Sequence, residues 1–350
     1  MDKIRVLVVD DSIVVRRVVT EVIDAQNDME VIGSASNGRQ ALEKVAQLKP
    51  DMVILDIEMP EMDGLTALTQ LRQHDARTPV IMFSSLTELG AKATLEALSR
   101  GASDFFAKPG GAGGLESSRR LIQSELVPAI RALCPTRAKK PVAEAPPLKP
   151  LAPSPVGRID AIAIGASTGG PNALAEVFAA LPAGLPAPIL IAQHMPPMFT
   201  QMLAERLTKN SKITTTEATA NTLLEAGKAW IAPGNYHLVV GRQGTRCLAT
   251  INQDPPENAC RPSVDPLFRS VASVYGRHCL AIVLTGMGQD GTRGCEAIRA
   301  AGGQVIAQDE ASSVVWGMPG YVARGGLADR VLPLSLIAGE IVQRMRVGRE

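Results

Sequence analysis

Seven prolines fall within residues 135–155, PTRAKKPVAEAPPLKPLAPSP, a run almost without large apolar side chains. Such a run cannot build a core, and its prolines favour extended backbone. It therefore divides the chain. Two separate cores must form, one on each side, and 350 residues suit two domains. The expected division is residues 1–134, a proline-rich linker at 135–157, and residues 158–350.

Both flanks alternate short apolar runs with helical patterns. Before the linker, IRVLVV (4–9), MEVIGS (29–34), DMVILD (51–56), PVIMFS (79–84) and SDFFAK (103–108) read as strands. Amphipathic segments lie between them, as in GRQALEKVAQL, where Ala41, Leu42, Val45, Ala46 and Leu48 mark one face. After the linker, IDAIAIGAS, APILIAQH, KAWIAPG, HCLAIVLTG and GQVIAQ continue the alternation. YHLVVGRQGTRCLATI reads as a β-hairpin with Gly241 and Gly244 at or near its turn. Strand–helix alternation predicts right-handed βαβ units, hence an α/β class with two doubly wound parallel sheets. Hydrophobic residues make up 45% of the chain and aromatics only 3%, so the cores must be built from Val, Ile, Leu, Ala and Met. That suits parallel strands buried on both faces.

The net charge of +1 and the lack of a recognisable helix-turn-helix argue against nucleic-acid binding. The five cysteines are odd in number and form no C-x-x-C pair, which predicts free thiols in place of a zinc site or disulfide framework. The first residues, MDKIRVLVVDDS, are neither a signal peptide nor long enough to span a membrane, and no later apolar run reaches that length. A cytoplasmic protein is expected.

In the first half, functional residues gather at predicted strand ends. Asp10 and Asp11 end the first strand and Asp56 the third. Ser84 ends the fourth strand and Lys108 the fifth. In a doubly wound sheet these carboxyl ends converge on one crevice. Three carboxylates there repel unless a cation joins them, and an oxygen-rich set with open water positions suits Mg²⁺. Lys108 would neutralise charge on an incoming group, and Ser84 offers a hydroxyl. Single strand-end acids more often cap helices or sit solvated; the coincidence of these signals favours a site. This half resembles the receiver domain of two-component response regulators, with a flavodoxin-like fold. The resemblance implies that Asp56 accepts a phosphoryl group from a histidine kinase and that Asp10, Asp11 and Asp56 hold Mg²⁺. It also implies that Ser84 and Lys108 contact the phosphoryl oxygens. Phe105, where the family often carries Tyr, would be the aromatic that repositions on activation.

The second half opens on IAIGASTGGPNAL (162–174), an apolar run that breaks into glycines. The dinucleotide fingerprint G-x-G-x-x-G fails because Ser167 takes the place of its second glycine, and no G-K-[ST] follows for a P-loop. Gly165-x-Ser167-x-Gly169 does satisfy G-x-S-x-G, the turn that lifts a serine above a sheet. A serine nucleophile needs a base, and the base needs an orienting group. Of the four histidines, His194 ends a strand at the edge where Ser167 sits. His74 lies in the other half, His278 precedes a strand, and His237 begins the hairpin. Asp290, in LTGMGQDGTRG, either N-caps the following helix or holds the His194 imidazole. The order Ser, His, Asp disfavours the α/β-hydrolase fold.

The motifs IGASTGGP, AQHMP, APGNYH and LTGMGQDG, in that order, resemble the catalytic domain of chemotaxis methylesterases, here a Rossmann-like methylesterase domain with a β-hairpin. With the receiver and linker, the resemblance covers the whole chain. It implies a protein-glutamate methylesterase in which Ser167, His194 and Asp290 hydrolyse glutamate γ-methyl esters. Oxyanion donors would lie near Thr168 and Met287. It further implies deamidation of receptor glutamines, activation by Asp56 phosphorylation through relief of receiver packing, and no cofactor for hydrolysis. The implied partners are methyl-accepting chemoreceptors and a histidine kinase, with peripheral association at receptor arrays. A nucleotide-binding output and a catalytically silent interaction module are the rival readings. Dinucleotide titration and esterase assay discriminate them.

Overall fold

The computed structural model describes residues 3–85, 87–108, 114–134 and 157–348. The proline-rich segment at 135–156 lies outside them. The chain divides into two compact units, Met1–Val142 and Ala143–Glu350.

The first unit runs β1 (Ile4–Val9), α1 (Ile13–Asp24), β2 (Met29–Ala35), α2 (Gly38–Leu48), β3 (Met52–Asp56), α3 (Gly64–His74), β4 (Val80–Ser84), α4 (Glu88–Ser99) and β5 (Asp104–Ala107). Then α5 (Gly114–Leu121) continues through a π turn at Ile122–Leu126 into α6 (Val127–Leu133). The sheet order is β2-β1-β3-β4-β5, all parallel. Helix starts follow the local chemistry: Ser12, Asn37, Asp63 and Thr87 each accept a first-turn N–H at the heads of α1 to α4. One core cluster joins Val6, Val8, Ile54, Ile81 and Phe83 of the sheet to Val19, Ile23, Leu126 and Ile130 of the helices.

The second unit contains β6 (Ala161–Ala166), α7 (Gly170–Ala180), β7 (Ile189–Gln193), α8 (Phe199–Asn210), β8 (Thr214–Glu217), β9 (Thr222–Leu223), β10 (Lys228–Ile231), β11 (His237–Gln243), β12 (Arg246–Asn252) and α9 (Val264–Tyr275). It ends with β13 (Cys279–Val283), α10 (Thr292–Ala300), β14 (Gln304–Gln308), α11 (Met318–Arg324), β15 (Arg330–Leu332) and α12 (Leu334–Met345). Seven parallel strands are ordered β15-β14-β13-β6-β7-β10-β8. A small antiparallel sheet is ordered β11-β12-β9. The hairpin forms as expected, with Gln243 paired to Arg246 across Gly244 and Thr245. Gly244 takes φ 58 there. Gly241 instead sits inside β11, opposite Leu248.

Strand order reverses at β6, where the chain steps to β7 on one side and later to β13 on the other. A crevice opens at the carboxyl ends of such strands. Gly165, near the end of β6, has no room for a side chain, since a Cβ would stand 2.4 Å from Val264 Cγ1. The N-terminus of α9 is thereby seated against the end of β6, beside the crevice.

Candidate functional site

Ser167 follows β6 directly and His194 follows β7. Their predecessors, Ala166 and Gln193, are the last paired residues of these neighbouring strands, and the His194 N–H donates to Ala166 O at 3.1 Å. Ser167 is half-buried. Its backbone is fixed from three sides. Its N–H donates to Thr285 O at 3.0 Å, and its carbonyl accepts from Gly170 N at 2.7 Å and from Gln193 Nε2 at 2.9 Å. Gly286 packs so closely that a Cβ there would lie 2.8 Å from Ser167 Cβ.

Asp290 is 2% exposed and meets His194 Nε2 through Oδ2 at 2.8 Å. Oδ2 also accepts from Val264 N at 2.7 Å. Oδ1 accepts from Ser263 Oγ at 2.8 Å, Asn258 Nδ2 at 2.9 Å, Gly291 N at 2.8 Å and Asp265 N at 3.1 Å. Asp290 lies against His194, and the helix it serves differs from the one expected from the sequence. It holds His194, and it serves a helix N-terminus, but that helix is α9 and not the following α10. Oδ2 alone receives both the His194 contact and the Val264 N–H, one for each of its two lone pairs, so one side chain serves both tasks.

Burial opposes a charged His194 imidazole, but its hydrogen bonds to Asp290 and Cys260 outweigh that and hold its pKa above the ordinary 6.5. Burial likewise pushes the Asp290 carboxyl up. The His194 contact and the donated N–H of Val264 win, and its pKa falls below the usual 3.8. The other ring nitrogen, Nδ1, stands 3.4 Å from Cys260 Sγ. Among the described residues no hydrogen bond joins Ser167 Oγ to His194. The backbone N–H groups of Thr168 and Met287 likewise make no hydrogen bond among the described residues. They are donors available beside Ser167.

The remaining histidines take structural places. His237 is buried, accepting from Ser263 N at 3.2 Å through Nδ1 and facing Pro255 O at 3.2 Å through Nε2. His278 precedes β13 and meets Arg158 O at 3.1 Å. His74 ends α3 in the first unit. Sequence reasoning did not single out Asn258, Ser263 or Cys260 around the Asp290–His194 pair. The segment NACRPS carries all three, but no local periodicity marks them.

In the first unit, order reverses between β1 and β3, and Asp10, Asp11 and Asp56 meet there. Each offers a carboxylate oxygen, all within 4.8 Å of one another. Lys108 Nζ bridges Asp56 Oδ2 at 2.6 Å and Asp10 Oδ2 at 3.1 Å. Backbone N–H groups of Glu58 and Ser12 donate to Asp56 Oδ1 at 3.2 Å and Asp10 Oδ1 at 2.8 Å. Burial pushes the Asp56 carboxyl up to about 6, against the Lys108 hydrogen bond and helped by the Asp10 charge. Burial also raises Asp10. Carboxylates so close, Asp10 and Asp56 buried and Asp11 open to solvent, are a fit for a small hard cation with oxygen ligands that keeps some of its water. The Ser84 hydroxyl is fully buried and bonds inward, near Gly90 O at 3.1 Å and Thr94 Oγ1 at 2.7 Å. Phe105 lies on β5, half-buried.

The CheB methylesterase family profile matches residues 162–341, and the response regulator receiver domain profile matches residues 6–118. A protein-glutamate methylesterase/protein-glutamine glutaminase from Trichodesmium erythraeum is 47% identical over 357 residues, spanning 99% of this chain and 100% of that one. The protein of the same name from Pyrococcus abyssi is 41% identical over 356 residues, spanning 99% and 95%. Among solved structures, the Thermotoga maritima CheB methylesterase catalytic domain matches with TM-score 0.52 and 39% identity, covering 53% of this chain and 98% of that one.

Proposed function

The chain belongs to the CheB methylesterase family, with a receiver domain ahead of the esterase domain, and on that premise we propose that Ser167, His194 and Asp290 hydrolyse glutamate γ-methyl esters on chemoreceptors. It is a protein-glutamate methylesterase/protein-glutamine glutaminase by family. The observation that carries the mechanism is the 2.8 Å contact of His194 Nε2 with Asp290 Oδ2, beside a serine at the reversal point of the sheet.

Because Asp290 holds Nε2, Nδ1 is the nitrogen left to accept the Ser167 proton. As Oγ bonds to the ester carbonyl carbon, its proton passes to Nδ1. The carbonyl oxygen gains negative charge, for which the Thr168 and Met287 N–H groups are the donors, a contribution of about 3 kcal/mol per donor in such sites. Methanol leaves with the proton from His194, and water then attacks the acyl-enzyme by the same exchange. Glutamine deamidation follows the same route with ammonia leaving. Neither step requires a cofactor.

In the receiver, Asp56 is the phosphoacceptor and a histidine kinase the donor. Asp10, Asp11 and Asp56 would hold a magnesium ion, which would neutralise charge on phosphoryl oxygens. Lys108 offers the adjoining positive charge. Ser84 contacts the phosphoryl group only after leaving its bonds toward α4, and Phe105 is the aromatic available to follow it. Asp56 phosphorylation raises esterase activity. No helix among the described residues is long and apolar enough to cross a membrane, and the enzyme acts in the cytoplasm at the receptors' cytoplasmic helices. The test is methanol release from methylated receptor. Wild type releases it and Ser167→Ala does not; retained release in that variant overturns the mechanism.

A further inference from the structure

Both nitrogens of the His194 ring are engaged. Nε2 is held by an Asp290 carboxylate that accepts from Val264 N, Ser263 Oγ, Asn258 Nδ2, Gly291 N and Asp265 N. A group tied at so many points does not give way, so Nε2 stays with it. The thiol of Cys260 sits on the other nitrogen, with Sγ 3.4 Å from Nδ1.

The backbone delivers that thiol deliberately. Glu257 and Cys260 exchange backbone hydrogen bonds at 3.2 and 2.9 Å, closing a tight turn. Its central residues, Asn258 and Ala259, take φ of 52° and 60°. Both are left-handed, and neither is glycine; an alanine there is strained and persists only where its surroundings enforce it. The enforcing contacts are the Glu257–Arg269 ion pair and the Asn258 amide, which reaches Asp265 Oδ2 at 3.0 Å and Asp290 Oδ1 at 2.9 Å. One strained turn thus supplies a partner to Asp290 and a partner to His194.

We propose that Cys260 is a positioning residue for the His194 base: its thiol holds Nδ1 in the free enzyme and yields that nitrogen to Ser167 when the ester is bound. The inference rests on the esterase reading above. When Ser167 Oγ takes the thiol's place, the hydroxyl proton moves to Nδ1 as the Oγ–C bond forms, and Sγ keeps its own proton. The titratable groups directly on the ring are Asp290 and Cys260. Asp265 at the head of α9, with the Glu257–Arg269 pair behind it, completes the charged surroundings. In the free enzyme Sγ accepts from the Nδ1–H of the protonated ring, so the Cys260 contact adds to Asp290 in raising the His194 pKa, and Nδ1 becomes the base once the ring has given up that proton.

The experiment compares the pH dependence of kcat/KM for wild type, Cys260→Ala and Cys260→Ser on methylated receptor, together with the ¹⁵N shift of His194 Nδ1 in each. In Cys260→Ala the acid limb moves to lower pH, the change falls on kcat and not KM, and the Nδ1 shift changes. Cys260→Ser, which keeps a hydrogen-bonding group, returns both readouts toward wild type. An unmoved limb and an unmoved Nδ1 shift in Cys260→Ala overturn the proposal, as does a Ser variant indistinguishable from the Ala variant. The ring shift needs no turnover. Failure of the esterase reading, seen as activity retained in Ser167→Ala, is therefore told apart from failure of the Cys260 contact.

Discussion

Replacing Asp290 by Asn changes one atom and keeps the shape of the side chain, and its consequence follows from the hydrogen bonds around it. The amide nitrogen is a donor, so it settles where fewer donors oppose it. Oδ1 meets Ser263 Oγ, Asn258 Nδ2, Gly291 N and Asp265 N, whereas Oδ2 meets only Val264 N and His194 Nε2. The –NH₂ therefore takes the Oδ2 place. There it opposes the Val264 N–H, whose hydrogen bond to a charged group is worth about 1.5–3 kcal/mol. It also donates to His194 Nε2, forcing the ring proton onto Nδ1. That is the nitrogen that must accept the Ser167 proton, so the base is blocked. A wrong tautomer costs about 10⁴ in kcat in serine hydrolases, or about 5 kcal/mol of transition-state stabilisation. The expected Asp290→Asn enzyme is folded, melts a few degrees lower, and releases methanol about 10⁴-fold more slowly. Methanol release and thermal unfolding on the same preparation measure both effects. A folded variant within about tenfold of wild type would refute the assignment of Asp290 as the group that sets the His194 tautomer.

Because the folded His194 pKa lies above the ordinary 6.5, the neutral base accumulates only on the alkaline side, and the acid limb of kcat/KM should fall above that value. The same shift makes protonation stabilising. Its contribution is complete below the unfolded value and is lost as pH rises through the folded one, so thermal unfolding of wild type minus that of His194→Gln should decline with pH over that window. A Gly286→Ala side chain would stand 2.5 Å from Met318 Sδ and 2.8 Å from Ser167 Cβ. Overpacking of this kind costs about 1–3 kcal/mol, and displacement of the nucleophile should lower kcat more than it raises KM in steady-state assays. Asp56→Ala should abolish phosphoryl incorporation from a small phosphodonor with Mg²⁺, and with it the stimulation of esterase rate. Equal stimulation of both proteins would break the link between Asp56 and the esterase.

The two α/β halves were legible in the sequence because burial there is periodic and local. The β1 boundaries match the apolar run residue for residue, and β3, β4 and β14 begin within one residue of theirs. Ser167, His194, Asp10, Asp11, Asp56 and Lys108 could be found because parallel strands carry their functional groups at their carboxyl ends, a property of topology that a strand pattern already contains. Edge strands β8, β9 and β15 were not legible, being short and partly polar, with no apolar run to mark them. Tertiary structure alone decided the rest. Asp290 caps α9, not its own neighbour α10, because Gly165 lets Val264 approach the end of β6. Ser84 bonds toward α4, and Asn258 and Cys260 reach the Asp290–His194 pair from a left-handed turn. The partners of Asp290 and His194 lie tens of residues apart in the chain, and the choice between two ring nitrogens turns on contacts no spacing rule encodes. Which elements form is a question of local hydrophobic pattern; which atoms meet is settled only when the packed sheet brings distant loops to one edge.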